Sequence, residues 1–345
     1  MHYTVSSKKR PLTMTDRMLA WHVVGIGADP ILTRLESPIP AKGEVVVRTA
    51  AVGLNFADML AIQGKYQVRQ PLPYVPGLEF SGVVESLGPG VHGLAPGCRV
   101  LGTCTAGALA ERICVAEARL SVLPDKMSFE SAAGFPIAYG TSYLALNHKA
   151  RLLPGETLLV TGAAGGVGLT AVEIGKQLGA RVIASARGAE RLAVAKTAGA
   201  DVLIDSDAPG LKDALRAEGG VDVVYDAVGG PAFDEALRAT KPDGRLLAVG
   251  FASGVVPQVP ANLLLVKNLT VTGFWYGGYE THCPDLVADS MTALLGWWGE
   301  GRLRPHVSHV LPFKALLQGL ELLRTRKATG KVVISLDHIA ATVVR

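Results

Sequence analysis

Thr157 to Arg187 reads "TLLVTGAAGGVGLTAVEIGKQLGARVIASAR", and no other stretch narrows the possible folds so far. Leu158 to Thr161 is a short apolar and β-branched run stopped by Gly162, which predicts a buried strand. From Gly168 to Gly179 the apolar positions Leu169, Val172, Ile174 and Leu178 suit a helix packed on a sheet, and Val182 to Ala184 form the next strand. A strand, a crossover helix and a second strand demand a parallel sheet. The turn carries Gly162, Gly165, Gly166 and Gly168, with Ala163 and Val167 between them. Residues without Cβ let a backbone approach a ligand, and the amides at a helix start attract phosphate. The stretch therefore predicts a dinucleotide-binding turn.

A tight turn that only packs helix on strand can show the same glycines. Two later segments favour the binding reading. "VDVVYDAVGG" (Val221 to Gly230) and "GRLLAVGFASG" (Gly244 to Gly254) each give a further strand ending in glycine. A dinucleotide lies across the carboxyl ends of such strands. Val228 and Gly229, and Gly250, Phe251 and Ser253, accordingly join the expected cofactor contacts.

With 345 residues the chain suits two domains. Hydrophobic residues make up 49% and charged residues 19%, which argues against disorder. No apolar run approaches the ~18 residues of a membrane span. The net charge of +4 is spread without a dense basic tract, so no nucleic acid is expected as a partner. Four sparse cysteines, Cys98, Cys104, Cys114 and Cys283, argue for a reducing compartment, and the start "MHYTVSSKKRPLTMTDR" has no apolar secretory core. A cytoplasmic location is expected.

Strand-like runs such as "EVVVRTAAVGLN" and "EFSGVVESLG" make the first part β-rich, and helices take over from Ser128. After Tyr276 come two helix-like stretches and the final strand "KVVISL". The expected organisation is a disordered extension (1–17), a β-rich domain in two pieces (18–140 and 277–345), and a Rossmann dinucleotide-binding domain (141–276) inserted between them. The fold class is α/β.

"GLNFADMLAIQGKY", "LPYVPGLEFSGVVESLGPGV", "AAGGVG", "DAVGG", "GRLLAVGFASG" and "RKATGKVVISL" follow one another in an order and spacing that resembles the zeta-crystallin-like quinone oxidoreductases of the medium-chain dehydrogenase/reductase superfamily. The resemblance covers about Met18 to Leu336. It implies a GroES-like catalytic domain beside the Rossmann domain, and a homodimeric, NADPH-dependent reductase of quinones or activated double bonds. Zinc-dependent members of the superfamily keep a Cys where this chain has Asn55, and a His where it has Leu78. Neither residue suits catalytic zinc, which takes Cys, His or carboxylate ligands. No metal site is expected.

The resemblance sets Asn55 near the nicotinamide; the same residue is also placed to cap the helix after it. Asp58 sits where the superfamily has an acid, and a structural role is at least as natural. Tyr66 either donates a proton to a reduced C=C bond, as a tyrosine does in the similar enoyl-thioester reductases, or lines the acceptor pocket. Glu79 reads as a buried acid paired with an arginine. Arg326 and Lys331 flank the last turn, from which the family brings an arginine towards the cofactor. Phe274, Trp275, Tyr276 and Tyr279 form an aromatic cluster for the acceptor pocket or for a dimer contact.

The second strand of the nucleotide unit ends "IASARGAER". NAD-specific folds place an acid there for the ribose 2′-hydroxyl. Ser185, Arg187 and Arg191 stand there instead, and arginine binds phosphate in fork geometry. NADPH is the expected cofactor. Two alternatives stay open: reduction of a 2-enoyl thioester, and a non-catalytic NADPH-binding role. Leu269 to Thr272 reads as the last strand of the parallel sheet, whose unpaired edge would join a second copy of the chain in a homodimer.

Overall fold

A computed structural model describes residues 17–336. The expected disordered extension lies outside the described residues except for Arg17, which already belongs to a strand. The chain begins with a hairpin, β1 (Arg17–His22) and β2 (Ile31–Glu36), followed by the long β3 (Glu44–Leu54) and the short α1 (Phe56–Ile62). β4 (Glu79–Leu87), β5 (Arg99–Thr103), β6 (Arg112–Ala116) and β7 (Leu120–Val122) follow, then α2 (Phe129–Ala133) and α3 (Pro136–Tyr143). Ser128 starts α2 as expected, its hydroxyl accepting from Ser131 N. The nucleotide unit alternates through β8 (Thr157–Thr161), α4 (Gly166–Gln177), β9 (Arg181–Ala186), α5 (Gly188–Thr197), β10 (Val202–Asp205), α6 (Leu211–Ala217), β11 (Val221–Asp226), α7 (Pro231–Ala239), β12 (Thr240–Ala248), α8 (Ala261–Lys267) and β13 (Thr270–Gly273). α9 (Tyr276–His282), α10 (Pro284–Gly299), β14 (Val307–Pro312), α11 (Leu316–Arg324) and β15 (Lys331–Ser335) complete it.

The parallel sheet has the order β10-β9-β8-β11-β12-β13. β8, the first strand of the unit, is central, and the direction of winding reverses beside it between β8 and β11. This is the doubly wound arrangement, with its ligand crevice at the reversal. Both faces are covered, so the central strands are uniformly apolar: all of β8 is buried. The second sheet runs β14-β15-β3-β4-β5-β7, with β6 also paired to β3. It is antiparallel except for β14 on β15. β14 was not legible in the sequence; Ser308 and His309 interrupt its apolar pattern.

Three large packed cores lie among the described residues, beside two small ones. One lies within the antiparallel unit around Val47, Phe80 and Ile334. A second covers one face of the parallel sheet around Ile183, Val224 and Phe233. The largest continues from Leu101 and Met127 through Tyr139 into Leu158, Val172 and Leu294. α10 shares this last core and packs against α3, whereas α11, the second helix-like stretch after Tyr276, packs on β15, β14 and α1 of the β-rich part. The continuity of that core fixes the two sheets relative to one another and sets the walls of the cleft between them.

Candidate active site

The glycine turn closes β8 onto α4. Gly162 has φ +62°, in the left-handed region. A Cβ on Gly168 would stand 2.1 Å from the carbonyl oxygen of Gly162, a contact no side chain can make. Gly168 therefore allows the helix start to fold back against the strand end, while Gly165 occupies the N-cap. The first amides of α4 lack intrahelical partners, as at any helix start, and the helix dipole makes that end positive. The cradle fits the diphosphate of a dinucleotide.

The neighbouring strand ends are stitched to this turn by a residue that the sequence reading passed over. Asp226, at the end of β11, is fully buried. It accepts from the Thr161 hydroxyl, from Val228 N at 3.3 Å and from Gly229 N at 2.8 Å. Burial raises its pKa, against the pull of those donors. Ser253 N donates to Val228 O at 2.8 Å, tying the loop after β12 to the loop after β11. Val228, Gly229, Gly250, Phe251 and Ser253 are thereby brought to one rim with the glycine turn.

Arg187 lies exposed at the end of β9 as the N-cap of α5. Arg191 donates to the carbonyl oxygen of Arg326 at 2.5 Å, and Arg326 donates in turn to Ala252 O. Arg191 and Arg326, 135 positions apart, thus meet beside the segment that Arg187 opens. Ser185 does not join them: it is 2% exposed, inside the strand. An acid does lie nearby, Asp205 at the end of β10, but its Oδ1 accepts from Gly188 N and Asp207 N, and those backbone donors lower its pKa.

Across the cleft, Lys331 is 7% exposed and its ammonium has three acceptors: Leu54 O at 2.8 Å, Asn55 Oδ1 at 2.7 Å and Glu79 Oε1 at 2.7 Å. Glu79 is completely buried; its Oε1 also accepts from Asn55 Nδ2 at 2.9 Å and its Oε2 from Ile137 N at 2.9 Å. The expected arginine partner of Glu79 is thus a lysine, supplied from the far end of the chain by the pairing of β15 with β3. Asn55 occupies the N-cap position of α1, yet its amide is spent on Glu79 and Lys331, while Asp58 Oδ2 accepts from Asn55 N at 2.8 Å. These acceptors hold the Lys331 ammonium ion. With Asn55 and Leu78 where a zinc site would need soft or anionic ligands, the residues do not fit that metal. Among the described residues no three His, Cys, Asp or Glu side chains converge to hold one.

Tyr66, in the loop after α1, reaches the loop after β13. Trp275 Nε1 donates to the Tyr66 hydroxyl at 3.0 Å, and the rings meet edge to face with centroids 6.5 Å apart. The indole can only donate, so the phenol keeps its own proton free. Burial raises the Tyr66 pKa and keeps the phenol protonated. Trp275 is half exposed to the cleft, whereas Phe274 is 4% exposed, packed with Tyr279 at 5.1 Å in the core. The Phe274 ring, expected at the cofactor, is thus turned into the core, and Tyr276 is likewise buried.

Residues 41–125 match the alcohol dehydrogenase GroES-like domain family, and residues 166–292 match the zinc-binding dehydrogenase family. The chain is 40% identical over 312 residues to quinone oxidoreductase-like protein 2 of Bos taurus, covering 89% of each. Its fold is similar to that of the quinone oxidoreductase of Thermus thermophilus, solved with NADPH, with a TM-score of 0.83, 37% identity, and coverage of 92% of this chain and 100% of that one. The quinone oxidoreductase of Escherichia coli, also complexed with NADPH, gives a TM-score of 0.85 at 28% identity, covering 92% and 99%.

Proposed function

The chain belongs to the zinc-independent, quinone-oxidoreductase-like branch of the medium-chain dehydrogenase/reductase family, and from that premise we propose that it is an NADPH-dependent reductase of quinones and activated C=C bonds. The observation that carries the reading is the cleft itself. The glycine turn that suits a diphosphate is tied through Gly330 and Lys331 to Asn55, Trp275 after β13 holds a phenol with a free proton, and among the described residues no metal-ligand cluster is built. Such a site suits an electron-poor acceptor, which takes hydride without metal activation.

NADPH, when bound, supplies the hydride. Gly162 to Gly168 would hold its diphosphate, and Val228, Gly229, Gly250, Phe251 and Ser253 would line its path. Arg187, with Arg191 and Arg326 behind it, would meet the 2′-phosphate. Asn55, fixed by Lys331 and Glu79, would orient the nicotinamide amide. Tyr66 donates the proton that complements hydride on a C=C bond, and Trp275 holds its oxygen while leaving that proton free. Turnover with a panel of quinones, enones, enals and crotonyl-CoA tests the reading. Oxidation of NADPH by quinones or enones supports it. Preference for the thioester would redirect it to enoyl reduction, and tight NADPH binding with no turnover of any acceptor would leave only a binding role.

A second copy of the chain is the expected partner, docked on β13. This strand is one of the two edges of the parallel sheet, the other being β10. Beside it α8 exposes Leu265 and Val266, at 79% and 71%, and the preceding loop exposes Val255 and Val256. An unpaired edge flanked by apolar side chains is a surface that proteins cover. No helix among the described residues is long and apolar enough to cross a membrane, and we place the enzyme in the cytoplasm, where its cysteines would remain thiols.

A further inference from the structure

Between α1 and the loop that precedes β4 lies a small cavity of ≈ 10 Å³ lined in part by Asp58, Tyr66, Gln70, Tyr74, Gly77 and Thr105. Two of its polar groups are orphans. Asp58 is 1% exposed and its Oδ1 has no hydrogen-bond partner, although Oδ2 caps α1; the Tyr74 hydroxyl is buried and equally unpartnered. A buried polar group without a partner is costly, and two facing one small polar space mark room for a single bridging water. Tyr66 lines the same space, and its hydroxyl accepts from Trp275 without using its own proton there. At the outer rim Gln70 Nε2 donates to Thr105 O at 3.0 Å in an exposed contact, so the space reaches solvent there.

We propose that Asp58, Tyr74 and one water between them form a proton relay that recharges Tyr66 from solvent during turnover. The proposal rests on the reductase reading above and adds the source of its proton. Hydride from the nicotinamide forms one C–H bond of the reduced acceptor. The Tyr66 O–H bond breaks, and its proton completes the product. The tyrosinate takes a proton from the Tyr74 hydroxyl, and Tyr74 takes one from the Asp58 carboxyl through the water. Asp58 regains a proton from solvent past Gln70. One hydride and one proton are consumed, and every group of the chain returns to its starting state.

The groups facing Asp58 fit this duty. Burial raises its pKa to about 7, opposed by the Asn55 amide, the Lys331 ammonium and the nearby Gly77 amide, and assisted by Glu79. Tyr66, Tyr74 and Cys104 all feel the Asp58 charge, and Tyr66 and Cys104 also feel Glu280. Cys104, its thiol donating to Gly77 O and its pKa driven far up by burial, takes no part. Below about pH 7 the Asp58 carboxyl carries a proton to give; above it the store is empty and tyrosinate recharging slows.

Asp58→Asn and Tyr74→Phe in the full-length NADPH complex test the relay. Tyr74→Phe removes only an unbonded hydroxyl and guards against misfolding of the first variant. The infrared difference between pH 6 and pH 8 should contain a protonated-carboxyl band in the unmodified protein that Asp58→Asn lacks, whether or not an acceptor is present. With an enone, kcat of the unmodified enzyme should fall as pH rises through about 7. Both variants should lower kcat at pH 6 by up to ~10²-fold and flatten the profile, with NADPH affinity and acceptor KM unchanged. A missing carboxyl band, or turnover with an unaltered profile in both variants, overturns the relay and leaves the reductase reading standing. Failure of every acceptor in the unmodified protein overturns the reductase reading, and the relay with it.

Discussion

Replacing Lys331 with methionine should be among the most damaging single changes available outside the nucleotide cradle. The substitution keeps most of the aliphatic stem and removes the ammonium. Three short contacts disappear, to Leu54 O, Asn55 Oδ1 and Glu79 Oε1. The larger effect falls on Glu79, which has no exposure and would be left with only Ile137 N and Asn55 Nδ2 as donors. Removing one partner of a buried ion pair costs about 3–5 kcal/mol, chiefly because the other charge stays buried. Lys331→Met should therefore shift the urea midpoint by the equivalent of about 3–5 kcal/mol. Glu79→Gln in the same chain removes the stranded charge and keeps an amide oxygen for Ile137 N. The double variant should recover at least about 2 kcal/mol of that loss, a strong favourable coupling in a double-mutant cycle. Recovered stability should not restore activity, because Asn55 would still lack the contact that fixes its carbonyl oxygen. A loss under ~1 kcal/mol for Lys331→Met, or a double variant as unstable as the sum of the singles, would refute the argument that the ammonium neutralises Glu79.

Arg187→Ala should weaken NADPH by about 1.5–3 kcal/mol and NADH far less; titration by quenching of protein fluorescence checks this, and equal losses for both nucleotides would remove Arg187 from phosphate recognition. Stability should respond to pH through Asp58. Its folded pKa of about 7 lies above the ordinary 3.8, so the folded state holds the proton more tightly. Stability is then lost as pH rises from the unfolded value towards 7, by at most roughly 1.4 kcal/mol per unit, and levels off above it. Urea unfolding of Asp58→Asn should lack this component, while Glu173, Asp226 and Glu280 titrate alike in both proteins. Val271→Pro, which removes a backbone donor from the free edge strand, should convert a dimer to monomers or aggregates by light scattering; a monomeric unmodified protein at micromolar concentration would refute the edge-to-edge assembly.

The nucleotide-binding unit was legible because its signals are local. A buried strand, a glycine turn and an amphipathic helix fall within about thirty residues, and the parallel order follows from handedness and short connections. The arginines around Arg187 were legible as types, but their clustering depends on a carbonyl of Arg326 at positive φ, 135 positions from Arg191. Glu79 read as a paired buried acid, since no isolated charge survives burial; the identity of its partner did not, because Lys331 arrives by strand pairing across 252 positions. The side chains of Ser185 and Phe274 are buried for a reason no local pattern shows. A residue at a strand end faces either crevice or core, and only the twist and register of the assembled sheet decide which. Asp226 was quoted within a motif without a role, since the two loop amides it gathers are visible only once the loop has folded.

The Lys331 cluster also explains how this site works without a Lewis acid while keeping an ordered cleft. A metal in such a fold would cross-link α1 to β4 through its ligands. Here the ammonium makes the same connection: Leu54 and Asn55 lead into α1, Glu79 opens β4, and Lys331 opens β15. Gly330, one residue before it, donates its amide to Ala164 O within the nucleotide turn at 2.8 Å. The lysine therefore links catalytic wall and cofactor cradle through two consecutive residues. A metal would polarise a substrate oxygen as well as hold the walls together. The ammonium, with its donors spent on three fixed acceptors, can only hold them, and electron demand must come from the acceptor. The same contacts that stabilise the cleft thus restrict its chemistry to acceptors already prepared to take hydride.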